Sequence, residues 1–364
     1  MKSRKRFDYA ILVPVFVLVV FGLMMLASAS SDLGKLKFDD AYYYLKHQVF
    51  YGLSIGIVGF LLGLFVPYRH YKKFSTLLLF LTIIGLILVF TPLGSSSGTA
   101  AERWIALGPI TFQPSEILKL TFILYLAAWL SGARSNRGDN FWEGFMPFLA
   151  VCGVIGLLLI LEKSTSSVII IMFSALVVYF ASGAKRQYVF YAVFLGVLLM
   201  SLLVVFTPYR FERIKTYFDH TSDVQGASYQ TNQALITIGS GGIWGVGYGK
   251  SVAKQYLPEQ IGDSIFAIIA EEFGFVGSTI LITAFFFMVL RSYQLAKRVG
   301  DRFGRLLLVG FGTVIGIQVF VHIASNAKLI PLTGVPLPFV SYGGTALVVF
   351  LTMSGIMLNI SKHA

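Results

Sequence analysis

Apolar runs of about 20 residues recur along the chain between short polar segments, and a run of that length crosses a bilayer as a helix. Ten of them fall at roughly 9–29, 46–66, 75–92, 114–132, 143–161, 166–183, 188–206, 264–290, 305–326 and 341–360. They predict an all-α integral membrane protein with ten transmembrane helices in a single polytopic domain over 1–364. The first run, from Tyr9 to Leu26, is followed by A-S-A-S, Ala27 to Ser30. It is longer than the roughly 7–15 residues of a signal-peptide core, so it reads as a first span and not as a cleaved leader.

The polar segments set the orientation. Those on the side of the N-terminus hold 17 of the basic residues and four acids, whereas the remainder of the chain holds 12 basic residues and 13 acids. The lysine and arginine bias places both termini in the cytoplasm. Three segments then face outward: 93–113, 327–340, and 207–263, a large extracytoplasmic loop between helices 7 and 8. The last has apolar stretches of its own, Ala234 to Ile238 and Ile243 to Val246, and is expected to fold onto the membrane surface.

Composition agrees with this class. Charged residues make up 13% of the chain, against about 25% in soluble domains. The net charge of +12 lies between the spans, where it suits membrane lipids and the positive-inside bias; no nucleic-acid surface is expected. One cysteine, Cys152, excludes an intramolecular disulfide, and the five histidines have no metal-ligand spacing. G-Y-G-K-S at 247–251 lacks the first glycine of a P-loop, Trp244 standing there instead. G-S-S-S-G at 94–98 has no strand-to-helix setting for a nucleophile elbow and reads as a flexible turn.

Four stretches can carry chemistry. In R-W-I-A-L-G-P-I-T-F-Q-P-S-E-I-L-K, Pro114 suits a first helical turn and Glu116 the positive end of the helix dipole. Lys119 follows on the same face, about 4.5 Å deeper, so a Glu116–Lys119 pair lining an outward cavity is the preferred reading. Arg103 and Trp104 precede it; the tryptophan suits an interfacial belt as well as a site. In P-Y-R-F-E-R-I-K, Arg210, Arg213 and Lys215 form either a solvated basic face or a seat for an anionic head group. In L-P-E-Q-I-G-D-S-I-F-A-I-I-A-E-E-F-G, Asp263 is either the N-cap of span eight or a carboxylate on a cavity rim, able to act as a general base. Glu271 and Glu272 lie about 12–13 Å further along that helix and cannot both join Asp263 in one site, so buried pairing between helices is expected for at least one. The fourth stretch, P-L-T-G-V-P-L-P-F-V-S-Y-G-G, is dense in proline and glycine, as a re-entrant or surface loop requires, and adds Ser341 to the substrate-binding candidates.

Taken in order, several pieces resemble the SEDS family (shape, elongation, division and sporulation). They are G-L-M-M-L-A-S-A-S-S, R-W-I-A-L-G-P-I-T-F-Q-P-S-E-I-L-K-L, Y-Q-T-N-Q-A-L-I-T-I-G-S-G-G-I-W-G-V-G, L-P-E-Q-I-G-D-S-I-F-A-I-I-A-E-E-F-G-F-V-G and P-L-P-F-V-S-Y-G-G. The resemblance covers essentially the whole chain, and the G-Y-G-K-S-V-A-K-Q-Y-L-P-E spacing leans to the FtsW branch over the RodA branch. It implies ten spans, peptidoglycan glycosyltransferase activity on lipid II and a class B penicillin-binding protein as partner. It also carries the family's essential aspartate to Asp263 and its tryptophan, glutamate and lysine to Trp104, Glu116 and Lys119. Two departures stand out: the family's H-T-D-F is I-G-D-S at 261–264, and its P-D-x-G before span six is K-S-T-S at 163–166.

The expected reaction is polymerisation of lipid II on the outer face of the bacterial cytoplasmic membrane. Asp263 would deprotonate the acceptor's 4-hydroxyl, and undecaprenyl pyrophosphate would leave with inversion. Cationic side chains or a divalent ion such as Mg²⁺ or Mn²⁺ would stabilise the leaving charge. The rival functions are a lipid II flippase, which needs polar residues through the full membrane depth, and a non-catalytic scaffold for a transpeptidase. Polar residues concentrated in the outer half of the spans favour the enzyme.

Overall fold

A computed structural model describes residues 7–92, 94–95, 103–107, 110–132, 139–208, 210–211, 217 and 227–364. Each predicted apolar run coincides with a helix. These are α1 (Tyr9–Phe38), α2 (Tyr43–His47) continuing through a π-helical segment (Gln48–Leu53) into α3 (Ser54–Phe65), α4 (Tyr68–Leu88), α5 (Pro114–Leu130), a π turn (Phe141–Phe145) leading into α6 (Met146–Leu161), α7 (Thr165–Ala181), α8 (Arg186–Val205), α10 (Ile265–Arg298), α11 (Arg302–Asn326) and α12 (Gly344–Ser361). The segment before α10 contains a further helix, α9 (Ala227–Ser240). Among the described residues, eight helices are long and apolar enough to cross a membrane. α5 and α7, at 17 residues each, are shorter.

α11 and α12 form the buried centre, and α8 buries none of its residues. α12 approaches α3 closely because α3 presents glycines there. A methyl on Gly63 would meet the Thr352 carbonyl at 2.8 Å, and one on Gly355 would meet the Phe60 carbonyl at 2.2 Å. Such backbone proximity maximises packing where lipid supplies no hydrophobic drive between helices.

The outward 93–113 segment is predicted from the sequence to hold only a flexible turn, at 94–98. Its described residues instead form a three-stranded antiparallel sheet, β1 (Gly94–Ser95), β2 (Trp104–Leu107) and β3 (Ile110–Phe112), with Ile105 opposite both Gly94 and Phe112. The sheet leads directly into α5, whose first residue is Pro114.

α10 is not continuous. Gly274 has φ 65° and ψ −164° inside it, and the break is filled by the chain that follows α9. Gly242 and Ile243 accept from the amides of Phe275 and Val276 at 2.9 and 3.1 Å. Val246 and Gly247 donate to the carbonyls of Glu271 and Glu272 at 2.9 and 3.0 Å. The loop thus replaces the hydrogen bonds that the helix forgoes, which is the condition for irregular backbone within a membrane. Close contact requires glycine on both sides: a methyl on Gly245 would lie 2.2 Å from the Glu272 carbonyl oxygen. This part of 207–263 is built into the break in α10 while Ile243 and Trp244 stay exposed.

The other end of the bundle gathers basic residues on helix C-termini, which present orphan carbonyls and negative potential. Lys72 donates to Ser131 O at 3.2 Å and Arg302 to Ser182 O at 2.6 Å, and Arg291 pairs with Asp8 at 2.7 Å.

A methyl at Gly274 meets Gly245 N at 2.4 Å and Ile243 O at 2.5 Å, in a left-handed conformation. Gly274→Ala is expected to lower the thermal unfolding midpoint of the detergent-solubilised protein by on the order of 5 °C or more. Gly153→Ala, where nothing lies within 4 Å, leaves the midpoint unchanged or raised.

Candidate active site

At the end of the bundle away from the basic caps, the helices enclose a cavity of about 2030 Å³. Its wall is drawn from distant parts of the chain: Asp32 of α1, Tyr44, His47 and Tyr51 of the α2–α3 helix, Arg103 just before the sheet, Trp104 of β2, and Glu116 of α5. Lys163 of the α6–α7 turn, Arg210, the 254–263 segment with Asp263, and Tyr342 before α12 complete it. Its size exceeds the several hundred Å³ typical of small-molecule pockets and suits a large amphiphile.

Asp263 is held by its backbone and its neighbours. A tight turn precedes it, with Glu259 at φ 49° and the Gly262 and Ser264 amides donating to Glu259 O at 3.1 and 3.0 Å. Asn326, the last residue of α11, donates to Asp263 O at 2.8 Å and to His322 O at 2.9 Å, tying the start of α10 to the end of α11. Gly334, at φ +64°, passes so near that a methyl there would sit 3.3 Å from Asp263 Oδ2. The N-cap alternative is corrected: the capping position belongs to Ser264, whose hydroxyl donates to Pro258 O at 2.9 Å and accepts from Gln230 at 3.1 Å. Asp263 itself lines the cavity wall, with Oδ2 on the side of Gly334.

Glu116 and Lys119 form the expected pair, Nζ to Oε1 at 2.5 Å, and Lys119 also donates to Gln318 Oε1 at 2.7 Å. Only Glu116 reaches the cavity. Lys119 is 1% exposed and lies behind it, neutralising the carboxylate. The second oxygen of Glu116 is buried without a hydrogen bond.

Arg103 and Arg210 line the cavity and also cap the C-terminus of α6. Arg103 donates to the carbonyls of Glu162 and Lys163 at 3.2 and 2.7 Å, and Arg210 to Ile160 O at 3.3 Å and to the Thr165 hydroxyl at 3.1 Å. Trp104 faces the same cavity from β2. Arg213 and Lys215 lie outside the described residues. Ser341 is placed differently from expectation. Its hydroxyl donates to Gly262 O at 2.8 Å and accepts from Leu337 N at 2.7 Å, so it fastens the Asp263 turn to the proline-rich loop from behind the wall.

Glu271 and Glu272 are far from this site in role. Glu271 accepts from the Ser251 hydroxyl and from Val252 N, and Glu272 from Ser28 of α1. They anchor the loop that fills the α10 break and the helix beside it.

Several residues escaped the sequence reading. His47 Nδ1 and Tyr342 OH lie 3.0 Å apart in the wall, and Asn326 and Gln318 fix the two carboxylates' surroundings. Glu162, one residue past α6, is 1% exposed, and neither carboxylate oxygen has a hydrogen bond. Burial pushes it up to about 8, with the Arg103 guanidinium opposing the rise. Among the described residues no three His, Cys, Asp or Glu side chains come together as a metal-binding group, so these residues do not form a protein-held metal centre.

Residues 9–364 match the family described as cell cycle protein, comprising FtsW, RodA and SpoVE. A probable peptidoglycan glycosyltransferase FtsW of Nitrosomonas europaea is 37% identical, over 97% of this chain and 92% of its own length. Stage V sporulation protein E of Bacillus subtilis is 34% identical, over 98% of this chain and 97% of its own. Among solved structures, a chain from a peptidoglycan synthase complex that coordinates polymerization and crosslinking covers 98% of this chain and 97% of its own, with TM-score 0.81 and 26% identity. The rod shape determining protein RodA of Thermus thermophilus covers 98% and 96%, with TM-score 0.70 and 25% identity.

Two stability outcomes follow from the site. Lys119→Ala leaves Glu116 as an unpaired buried charge and is expected to cost about 3–5 kcal/mol, whereas the double variant Glu116→Gln with Lys119→Met costs less; equilibrium unfolding in detergent separates them. For Glu162, the folded carboxyl titrates near 8 against an ordinary 4.5. Its contribution is full below the lower value and lost as pH rises through the higher one. Glu162→Gln should match wild type near pH ~4 and unfold at a higher temperature than wild type near pH ~9.

Proposed function

The chain belongs to the FtsW, RodA and SpoVE family of cell cycle proteins, and on that premise we infer that it is a peptidoglycan glycosyltransferase that polymerises lipid II with Asp263 as general base. The enzyme class agrees with the curated relatives and with the synthase-complex neighbour. The observation that carries the residue assignment is the placement of the Asp263 carboxylate in one large cavity whose wall also presents Arg103, Arg210 and Glu116.

Asp263 takes the proton of the acceptor's 4-hydroxyl as that oxygen attacks the donor's anomeric carbon. The bond to the diphosphate breaks on the opposite face, giving an inverted glycosidic linkage and undecaprenyl pyrophosphate. Arg103 and Arg210 stand in the wall where leaving-group charge needs stabilising, and their guanidinium forks match phosphate oxygens. Glu116, with its free oxygen, accepts a hydrogen bond from the sugar, and Trp104 offers an apolar ring to its face. Lys119 acts through Glu116. A divalent cation, Mg²⁺ or Mn²⁺, belongs to this proposal as an ion carried by the substrate's diphosphate, since such ions bind through one or two carboxylates plus phosphates.

The chain crosses the membrane several times. We propose ten crossings in the bacterial cytoplasmic membrane, with both termini and the basic helix caps in the cytoplasm and the cavity opening outward within the single domain over 1–364. A class B penicillin-binding protein is the proposed partner, supported by the likeness to a synthase complex that joins polymerization to crosslinking.

With purified protein and lipid II in vesicles, Asp263→Ala is expected to lower the polymerisation rate by about 100- to 10,000-fold. A wild-type rate in the variant, or lipid scrambling with no polymer from the native chain, overturns the assignment. EDTA is expected to slow the native enzyme and added Mg²⁺ or Mn²⁺ to restore it; an unchanged rate in EDTA removes the ion from the proposal.

A further inference from the structure

Beside the main cavity, and sharing its wall, is a small polar recess of about 30 Å³. It is bounded by Arg103, Glu116, Lys163 and the first turn of α7, Thr165 to Ser167, with Gly334 opposite. The α6–α7 connection is only Glu162, Lys163 and Ser164. Lys163 takes φ 56° there, a conformation glycine or asparagine adopts with less strain. It is exposed and lines both spaces.

Two guanidinium groups reach the turn that carries Lys163: Arg103 is bound to the Lys163 carbonyl and Arg210 to the Thr165 hydroxyl. They surround the N-terminus of α7, a 17-residue helix whose N-cap Ser164 makes no side-chain capping bond. First-turn amides have no acceptor within their own helix and carry the positive end of its dipole, which suits phosphate. A second feature also asks for a ligand: Glu116 is 3% exposed, lines the recess, and has one oxygen without a hydrogen bond. Its charge is met by Lys119 at 2.5 Å, so the recess is not closed to an anion. An anion alone would leave that oxygen unsatisfied; an anion bearing an O–H or N–H donor would not.

We propose that Lys163 and the first turn of α7 form the subsite for the diphosphate of a polyprenyl glycosyl diphosphate, with the adjoining sugar donating to Glu116. This rests on the polymerase reading and adds to it residues at a position where the family's P-D-x-G is replaced by K-S-T-S. The recess admits only the outer oxygens of one phosphate, against the α7 first turn, and the rest of the diphosphate lies in the main cavity beside Lys163, Arg103 and Arg210. Because Lys163 contributes charge from an exposed turn, removing it alters binding without emptying the core.

The test uses the full chain in lipid nanodiscs, with undecaprenyl diphosphate and undecaprenyl monophosphate as probes. Lys163→Gly removes the ammonium and relaxes the left-handed backbone, so its unfolding temperature is expected to equal or exceed that of wild type. Its affinity for the diphosphate is expected to fall about tenfold, the worth of one charge-assisted hydrogen bond. The monophosphate should lose less, and Lys163→Arg should restore binding. Wild-type diphosphate affinity in Lys163→Gly overturns the subsite. If that happens while Asp263→Ala abolishes polymerisation, the subsite fails and the polymerase reading stands. If Lys163→Gly loses the diphosphate but the native chain makes no polymer from lipid II, the subsite stands and the polymerase reading fails.

Discussion

Backbone that leaves the helix inside a bilayer must find hydrogen-bond partners within the protein, because lipid offers none. This chain meets that requirement at the break in α10, where residues 242–247 supply the donors and acceptors that the helix gives up around Gly274. The rest of the cavity end follows from it. The inserted loop fixes the start of α10 against α9, Glu271 and Glu272 become its buried anchors, and the turn carrying Asp263 is held where α10 begins. Asn326 then joins that turn to the end of α11, and Ser341 joins it to the loop before α12.

Charge inside such a protein is tolerated only where it is paired or faces a cavity. Both solutions occur within a few residues of each other. Lys119 is spent on Glu116 and Gln318, so the α5 carboxylate has its counterion inside the protein. Arg103 and Arg210 are spent partly on the carbonyls that end α6, which orients their guanidinium groups while leaving them on the cavity. Helix ends thus position the cations through their dipoles and orphan carbonyls, and the cations stay on the cavity wall.

The helices were legible from sequence because the bilayer demands a length of apolar chain that few other structures need. The separation of Asp263 from Glu271 and Glu272 was legible from helical geometry alone. Other features were not, since each depends on contacts between distant segments. No local pattern distinguishes a glycine that flexes from Gly245 or Gly274, whose hydrogens face another backbone. Asp263, just before an apolar run, suited an N-cap as well as a cavity-rim carboxylate, and only the structure shows Ser264 in the capping position. Ser341 looked like a site residue by its neighbours in sequence, yet its hydroxyl is used up in fastening two loops. The sheet within 94–112 was hidden by strands of only two to four residues, and His47 is tied into the wall by Tyr342.

The account turns on a single carboxylate acting as a base in a cavity shaped by those joints. The most direct measurement is the pH dependence of lipid II polymerisation by the purified protein, compared with Asp263→Asn. The native rate should climb with unit slope on the acid side and then level off, and the Asn variant, which keeps the side chain's shape, should show a residual rate with no such limb. An Asn variant that keeps both the acid limb and the native plateau would show that another group takes the proton, and the central claim would fall.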